Sequence, residues 1–321
     1  MEYIILAVSL VGIVLGADFL VDGAVSIAKK YKVSDFVIGA AIVGIGTSMP
    51  EFVVSFIGAI SGNADVAIGN VVGSNIFNVL GILGLTALFF PIAIDKTNMK
   101  FEIPLCIGVS VLITVLAFNF FDGSQARIGR VDGIVLLLCF AVFMYYSFYR
   151  DRKKASLSPF EPKSATEEIK EESLAVAIIK VVGGLVVLIT SCDFFVDNAV
   201  LIARSFGVND AFISLTLIAC GTSLPELAAS VAAAFKKNTS LALGNIVGSN
   251  IFNITLILGL SSQVMPLNSG GITIVDYLVM IGAALLPLFF GFNKRIGRLG
   301  GAFMFLCFVG YTWFLINGQI A

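Results

Sequence analysis

The chain has no histidine among its 321 residues, and charged residues make up only 13% of it. The absence of histidine removes the commonest general base and a common ligand of transition metals. The sequence also contains no recognisable nucleophile–base pair, so it gives no indication of an enzyme. The formal net charge of −1 gives no case for a nucleic-acid partner.

The five cysteines form no Cys-x-x-Cys pair, and all of them lie in apolar runs. We therefore expect buried free thiols, with neither a disulfide nor a metal site among them. The cysteines are Cys106, Cys139, Cys192, Cys220 and Cys307.

Long apolar runs dominate the sequence, which is 58% hydrophobic with a mean hydropathy of +1.00. The charged fraction is about half that of a soluble domain. Since a membrane-spanning helix needs about 20 mostly apolar residues, the runs predict an all-α integral membrane protein with ten transmembrane helices. The predicted helices cover residues 4–28, 37–61, 66–89, 103–121, 131–149, 174–203, 211–235, 241–264, 272–290 and 299–316.

Two polar motifs occur twice in these apolar segments, and each matched pair is separated by 175 positions. Gly-Thr-Ser-Met-Pro-Glu at 46–51 returns as Gly-Thr-Ser-Leu-Pro-Glu at 221–226. Gly-Asn-Val-Val-Gly-Ser-Asn-Ile-Phe-Asn at 69–78 returns at 244–253 with one Val replaced by Ile. The sequence therefore predicts two five-helix repeats, residues 1–149 and 174–321. Because five is odd, the second repeat enters the membrane from the opposite side and is inverted.

A polar stretch at residues 150–172 separates the repeats and holds six basic and six acidic residues. It has no sustained apolar period, so we predict a flexible linker over residues 150–173. Of the 20 Lys and Arg residues, only Arg127, Arg130 and Arg204 fall in loops on the side of the amino terminus, and Lys180 lies inside a helix. This bias predicts a multi-pass protein of the plasma (inner) membrane with both termini outside and the linker cytoplasmic.

The motif segments are expected to place an all-oxygen cation site at the centre of the protein. Pro50 has no N–H, so it cannot pair with the carbonyl of Gly46 in the middle of the second helix. Thr47, Ser48 and Glu51 then share roughly one helix face, as do Ser74 and Asn78 in the third helix. Oxygen ligands without histidine or cysteine suit sodium, calcium or magnesium rather than soft metals. The second copy supplies Thr222, Ser223, Glu226, Ser249 and Asn253.

This hypothesis depends mainly on the two glutamates, because no Lys or Arg lies at a similar depth within the predicted membrane helices. Two carboxylates about 5 Å apart at an effective dielectric near 20 repel by roughly 3 kcal/mol. Either one is protonated or a cation lies between them. For Ser74 and Asn75 alone, a role in joining helices is an equal alternative. Four further acids either line an access path or face the membrane interface near helix ends: Asp18, Asp22, Asp193 and Asp197.

These motifs resemble the two alpha repeats of the sodium/calcium exchanger family, prokaryotic type, within the cation/calcium antiporter superfamily. The resemblance covers the ten-helix layout and the central linker. It implies alternating-access antiport of calcium against sodium in the lipid bilayer, with no prosthetic group and with a monomeric transport unit. It implies that Glu51 and Glu226 bind calcium together with the carbonyls of Thr47 and Thr222. For flanking sodium sites and the lining of the centre it implies Ser48, Ser74, Ser223, Ser249, the carbonyls of Gly44 and Ala219, and Asn78 with Asn253.

One departure from the family concerns Asn78 and Asn253, because many relatives carry aspartate at one or both positions. The core then holds a charge of at most −2, which one calcium ion neutralises and three sodium ions overbalance. Sodium stoichiometry and potassium dependence therefore stay open. So do two other functions, antiport of calcium or another divalent cation against protons and, less favoured, a passive channel. The linker is too short for the large calcium-sensing domains of some animal exchangers.

Overall fold

The computed structural model describes residues 1–118, 127–157, 172–206, 219–268 and 272–320, with only the backbone for residues 152–157, 219 and 318–320. This part of the chain is almost entirely helical. The helices are α1 (Glu2–Tyr31), α2 (Asp35–Thr47), α3 (Met49–Ile60), α4 (Ala64–Phe89), α5 (Asn98–Phe118), α6 (Arg130–Leu157), α7 (Leu174–Ser205), α8 (Ala219–Gly221), α9 (Leu224–Phe235), α10 (Thr239–Val264), α11 (Ile274–Gly291) and α12 (Arg298–Ile320).

The described residues contain 8 helices that are long and apolar enough to cross a membrane, and α2 with α3 forms a bent ninth candidate. The chain is thus an all-α membrane protein. The predicted helix over 211–235 is described only from residue 219, as the short turn α8 and the apolar helix α9. Residues 207–218 lie outside the described part, as do residues 119–121 of the predicted fourth helix.

Helix α6 ends later than the sequence predicted. It continues to Leu157, so the predicted linker at 150–173 is wrong for residues 150–157, and residues 158–171 lie outside the described part. Arg150 forms an ion pair with the buried Glu102 and stacks over the ring of Phe101 at 5.0 Å. The next residue, Asp151, accepts a hydrogen bond from the Ser34 backbone at 2.5 Å. These contacts stabilise the last turns of α6. Because those turns are polar, the length of the apolar run did not predict them.

Helices α1 and α7 pack closely through small residues. A Cβ on Gly16 would lie 2.6 Å from the backbone nitrogen of Leu188, and one on Gly23 would lie 2.7 Å from the carbonyl oxygen of Ala177. The contact positions fall along α7 as they rise along α1, so the two helices are antiparallel. Glycine permits this approach because a larger side chain would separate the backbones.

Two short ribbons join segments that are far apart in the chain. Strand β1 (Ile92–Ala93) pairs with β4 (Arg295–Ile296), and β2 (Arg127–Ile128) pairs with β3 (Leu267–Asn268), both antiparallel. Each ribbon therefore brings a loop of the first half to the same membrane face as a loop of the second half.

The centre of the molecule is formed by α4 and α10, which carry the Gly-Ser-Asn-Ile-Phe-Asn motifs. In an apolar 18-residue stretch of each helix, 94% is buried in α10 and 78% in α4, against 17% in α12. Both central helices widen into π-helical turns, Phe77–Leu83 and Asn253–Ile257, at the asparagines that end the motifs. Such turns occur often at functional sites.

All five cysteines are free thiols, as the sequence predicted. Two of them, Cys106 and Cys192, are buried. The expectation of burial is wrong for the other three, Cys139, Cys220 and Cys307, which are partly exposed.

Candidate functional site

The Pro-containing motifs break their helices in the same way in both copies. Helices α2 and α3 meet at Ser48 with a bend of 50°. Ser48 has φ −81° and ψ 9°, and Ser223 before α9 has φ −92° and ψ 9°. A glutamate stands in the first turn of the helix after each break. The positive end of a helix dipole at that position favours a carboxylate.

The two glutamates, Glu51 and Glu226, are fully buried and are linked across the copies. The Ser223 hydroxyl donates to Glu51 Oε1 at 2.6 Å, and the Ser48 hydroxyl donates to Glu226 Oε1 at 2.7 Å. Each serine lies three residues before the glutamate of its own motif. Because each serine donates to the glutamate of the other copy, both carboxyl groups lie at one centre. No ion pair among the described residues includes either glutamate.

The asparagines of the second motif form a matched set of hydrogen bonds between α4 and α10. The Asn75 amide donates to the Asn250 carbonyl at 3.1 Å, and the Asn250 amide donates to the Asn75 carbonyl at 3.2 Å. Asn78 donates to Asn250 Oδ1 at 3.0 Å, and Asn253 donates to Asn75 Oδ1 at 3.1 Å. For Asn75 these hydrogen bonds favour the helix-joining interpretation.

Four buried oxygen atoms at this centre have no hydrogen-bond partner in the described chain. They are one oxygen each of Glu51, Glu226, Asn78 and Asn253. A buried polar atom without a partner costs about 1–3 kcal/mol, and more for a charged group. Four such atoms, paired by the repeat, form a set of acceptors without donors, which is the composition of a hard-cation site. Among the described residues, no three His, Cys, Asp or Glu side chains are placed so that they could hold a metal ion together.

The remaining predicted serines lie at the same centre but differ between the copies. The hydroxyl oxygens of Ser74 and Ser223 lie 3.1 Å apart, and the Ser74 hydroxyl lies 3.5 Å from Glu51 Oε1. Its copy, Ser249, instead donates to the Gly44 carbonyl at 3.2 Å. That carbonyl, a predicted sodium ligand, also accepts from the backbone N–H of Ser48 at 3.1 Å.

The side chains of the predicted threonines contact asparagines of the second motif. The Thr47 hydroxyl lies 2.9 Å from the Val43 carbonyl of its own helix and 3.2 Å from Asn245 Oδ1. Thr222 is partly exposed and lies 3.5 Å from Asn70 Oδ1. The last predicted ligand, the carbonyl of Ala219, belongs to the first residue of α8.

Asn70 and its copy Asn245 are positioning residues that the sequence reasoning did not single out. The Asn70 amide donates to the Glu51 carbonyl at 3.1 Å and to the Ser55 hydroxyl at 2.9 Å. The Asn245 amide makes the same pair of bonds at 3.2 and 2.9 Å, to the carbonyl of Glu226 and to Ser230. Both asparagines stand in the repeated motif at the common spacing, and that signal could have identified them.

We expect Asn70→Ala and Asn245→Ala to raise the KM for transported cation several-fold while lowering the maximal rate less. Each change removes one hydrogen bond to a helix carbonyl and one to a hydroxyl, each worth about 0.5–1.5 kcal/mol, and loosens the helix turn that carries a glutamate. Transport kinetics and thermal unfolding in detergent measure the two effects. The matched control is Asn63→Ala, an exposed helix-capping position whose side chain makes no cap hydrogen bond. An unchanged KM in both centre variants would contradict the positioning role.

The acidic residues of α1 and α7 lie away from this centre. Lys236, at the end of α9, contacts Asp18 at 2.9 Å and Asp22 at 2.7 Å, and these side chains are 55% and 43% exposed. Asp193 and Asp197 are also exposed. None of the four supplies an atom to the hydrogen bonds around the buried glutamates.

Comparisons with known proteins identify the family of the chain. The family model described as "Sodium/calcium exchanger protein" matches residues 1–149 and 176–317. A protein named as an antiporter, CaxA of Alkalimonas amylolytica, is 37% identical over 98% of both chains. The sodium/calcium exchanger MaX1 of Methanosarcina acetivorans is 33% identical over 97% of both.

A solved structure of the sodium-calcium exchanger NCX_Mj, soaked with zero Na+ and Ca2+, superposes with a TM-score of 0.81 at 30% identity. The superposition covers 96% of each chain. These relatives are transporters and not enzymes. The present chain is a multi-pass membrane antiporter that belongs to the sodium/calcium exchanger family.

Proposed function

We propose that this protein is a secondary antiporter that exchanges calcium for sodium across the membrane by alternating access. The observation that carries the proposal is the set of four buried oxygen atoms without hydrogen-bond partners, on Glu51, Glu226, Asn78 and Asn253. Carboxylate and amide oxygens are ligands of hard cations. Calcium and sodium are then the substrates of this site, and no prosthetic group is required.

The charge of the centre explains why the two ions would compete. Two ionised glutamates without a basic partner require compensation, because isolated buried charges are costly. One calcium ion or two sodium ions neutralise them. Occupancy by one kind of ion therefore excludes the other, which is the requirement for exchange rather than joint transport.

Alternating access is supported by the symmetry of the contacts. Helices α1 and α7, which precede the two motif copies, are antiparallel, and the serine and asparagine bonds recur with the halves exchanged. This is the pattern expected of inverted repeats around a site at the membrane midplane. We therefore propose residues 1–149 and 174–321 as the two repeats, which exchange roles when the site opens to the opposite side.

The proposed orientation places both termini outside and the linker in the cytoplasm of an inner-membrane protein. It is consistent with the two ribbons, since β1 and β4 belong to loops predicted inside and β2 and β3 to loops predicted outside. All proposed ligands come from one chain. We therefore propose the monomer as the transport unit.

The choice of sodium as counter-ion is also supported by the relatives, because MaX1 is named a sodium/calcium exchanger and NCX_Mj a sodium-calcium exchanger. For the proposed calcium ligands Glu51 and Glu226 and for the serines of the flanking set, the support is the hydrogen bonds that join the two motif copies. The carbonyls of Thr47 and Thr222 are proposed as further calcium ligands from the family resemblance. The flanking set is Ser48, Ser74, Ser223, Ser249, and the carbonyls of Gly44 and Ala219.

A flux assay in reconstituted vesicles tests the counter-ion. Vesicles loaded with sodium are expected to take up calcium when they are diluted into sodium-free buffer, and to take up none when sodium is equal on both sides. Potassium and proton gradients are varied separately, and Glu2→Gln at an exposed position serves as the handling control. Uptake driven by a proton gradient without sodium would assign proton coupling, and uptake without any counter-ion would indicate a channel.

A further inference from the structure

An apolar groove runs between α11 and α12 on the outer surface of the helix bundle. Two adjoining cavities of about 830 and 510 Å³ form it, and they share Leu286 and Phe303 in their walls. The groove extends along α11 from Phe290 to Val275. At 1.5 Å per residue this is about 22 Å, which exceeds the roughly 15 Å of one leaflet's hydrocarbon.

The end of the groove nearest β4 is basic. Arg295, Asn293 and Gly297 line it, and no Asp or Glu is among the described residues that line either cavity. Lys294 and Arg298 stand beside it, exposed like Arg295. None of these three cations takes part in an ion pair within the described chain.

A comparison of the two halves indicates what this basic end accepts. The sequence Arg-Ile-Gly-Arg occurs at 127–130 and again at 295–298, each time as a strand followed by a helix start. The local folds agree, since Gly133 donates to the Gly129 carbonyl at 3.0 Å and Gly301 to the Gly297 carbonyl at 2.9 Å.

The two copies differ at one position in the first turn of the helix. In the first, the Asp132 carboxylate accepts from the backbone N–H of Gly129 at 2.7 Å, as an acid at the third helical residue commonly does. In the second copy Gly300 stands at that position, and it lines the groove. The first copy therefore has a carboxylate oxygen at this turn, from Asp132, and the second copy has none at the equivalent position.

We propose that this groove binds an anionic phospholipid, with its phosphate at Arg295 and Gly297 and an acyl chain along α11. The phosphate oxygens take the place that the Asp132 carboxylate holds in the other copy, and the guanidinium adds a charge-assisted hydrogen bond. The apolar walls require an occupant with a long hydrocarbon part, which a free phosphate ion does not have. Basic clefts between transmembrane helices are suited to such headgroups.

The groove can be filled without disturbing the protein. A Cβ added at Gly282, in the wall of the smaller cavity, meets no atom within 4 Å. Gly282→Leu therefore blocks the chain path, whereas Arg295→Gln removes the headgroup contact. Gly183→Leu is the matched filling control, because Gly183 is an exposed helical glycine with equally open space that does not line the groove. Lys30→Gln is the matched charge control on an exposed lysine.

The experiment equilibrates the full chain with vesicles of equimolar phosphatidylcholine and phosphatidylglycerol, extracts it into detergent and measures retained lipid by native mass spectrometry. The wild type is expected to retain phosphatidylglycerol preferentially. Arg295→Gln lowers this preference about fivefold, the value of one basic residue at a membrane surface. Gly282→Leu lowers the retention of both lipids, and the two controls behave as wild type.

Two results would overturn the proposal. One is equal retention in Arg295→Gln and Lys30→Gln, which would indicate unselective lipid at the protein surface. The other is complete displacement of phosphatidylglycerol from the wild type by inorganic phosphate, which would assign the site to a free anion. Thermal unfolding of each variant establishes that it is folded, and transport activity does not enter the measurement.

Discussion

Replacing either Glu51 or Glu226 with glutamine is expected to reduce calcium transport by at least about a hundredfold. Unit charges 4 Å apart interact by about 4 kcal/mol at an effective dielectric of 20, and a divalent cation doubles this. A loss of about 3 kcal/mol already corresponds to a hundredfold. One remaining carboxylate has a single negative charge and cannot neutralise a divalent ion. No other acid among the described residues belongs to the candidate site.

The glutamine variants should fold, because the amide keeps an oxygen for the serine that donates to it. In the wild type Ser223 donates to Glu51 and Ser48 to Glu226, each through Oε1. The new NH2 group replaces the oxygen that has no partner. Unfolding temperatures close to the wild type would therefore separate lost charge from lost structure.

The symmetry of the site makes this prediction sharper. Both variants should lose calcium flux to a similar extent, whereas Glu2→Gln at the exposed start of α1 should not. Calcium uptake into sodium-loaded vesicles is the measurement. Wild-type flux in either centre variant would contradict a shared site, and so would a loss confined to one of the two.

The helices were largely predictable because the bilayer dictates their length and composition. A backbone in lipid must satisfy its hydrogen bonds internally, so each apolar run of sufficient length becomes a helix. The end of α6 was not predictable by this rule, since its last turns are polar and are held by Arg150 and Asp151. The ribbons escaped prediction because strands of two residues carry no alternating pattern.

Most residues of the candidate site could be proposed as a set, because two motifs, each present in two nearly identical copies at a constant spacing, contain them. Their individual partners could not. Ser74 and Ser249 occupy equivalent positions, yet one contacts Ser223 across 149 residues and the other the Gly44 carbonyl across 205. Such partners depend on how each helix is rotated against distant helices, which local sequence does not encode. The roles of Asn70 and Asn75 depend on the same packing.

Replacing Asn253 with aspartate is expected to increase the number of sodium ions that bind together at the centre. The wild-type amide donates to Asn75 Oδ1 at 3.1 Å, and a carboxylate has no proton to donate there. Two oxygen atoms would then face each other beside two existing carboxylates. This arrangement is unfavourable without a further cation. Three sodium ions neutralise the three carboxylates of the variant, whereas two neutralise the two carboxylates of the wild type.

Two measurements follow from this argument. The Hill coefficient for sodium in calcium exchange should rise by about one, since each added carboxylate is neutralised by one more monovalent ion. The unfolding temperature in choline buffer should fall, because a hydrogen bond worth about 1 kcal/mol is lost and like charges are added, and sodium should restore it.

Asn78→Asp provides the matched test in the other copy, because the Asn78 amide donates to Asn250 Oδ1 at 3.0 Å in the equivalent way. Asn63→Asp adds the same charge at an exposed position and should change neither measurement. An unchanged Hill coefficient for sodium in both centre variants would mean that Asn78 and Asn253 join the helices without facing the ions. Their two oxygen atoms without partners lead us to expect the opposite.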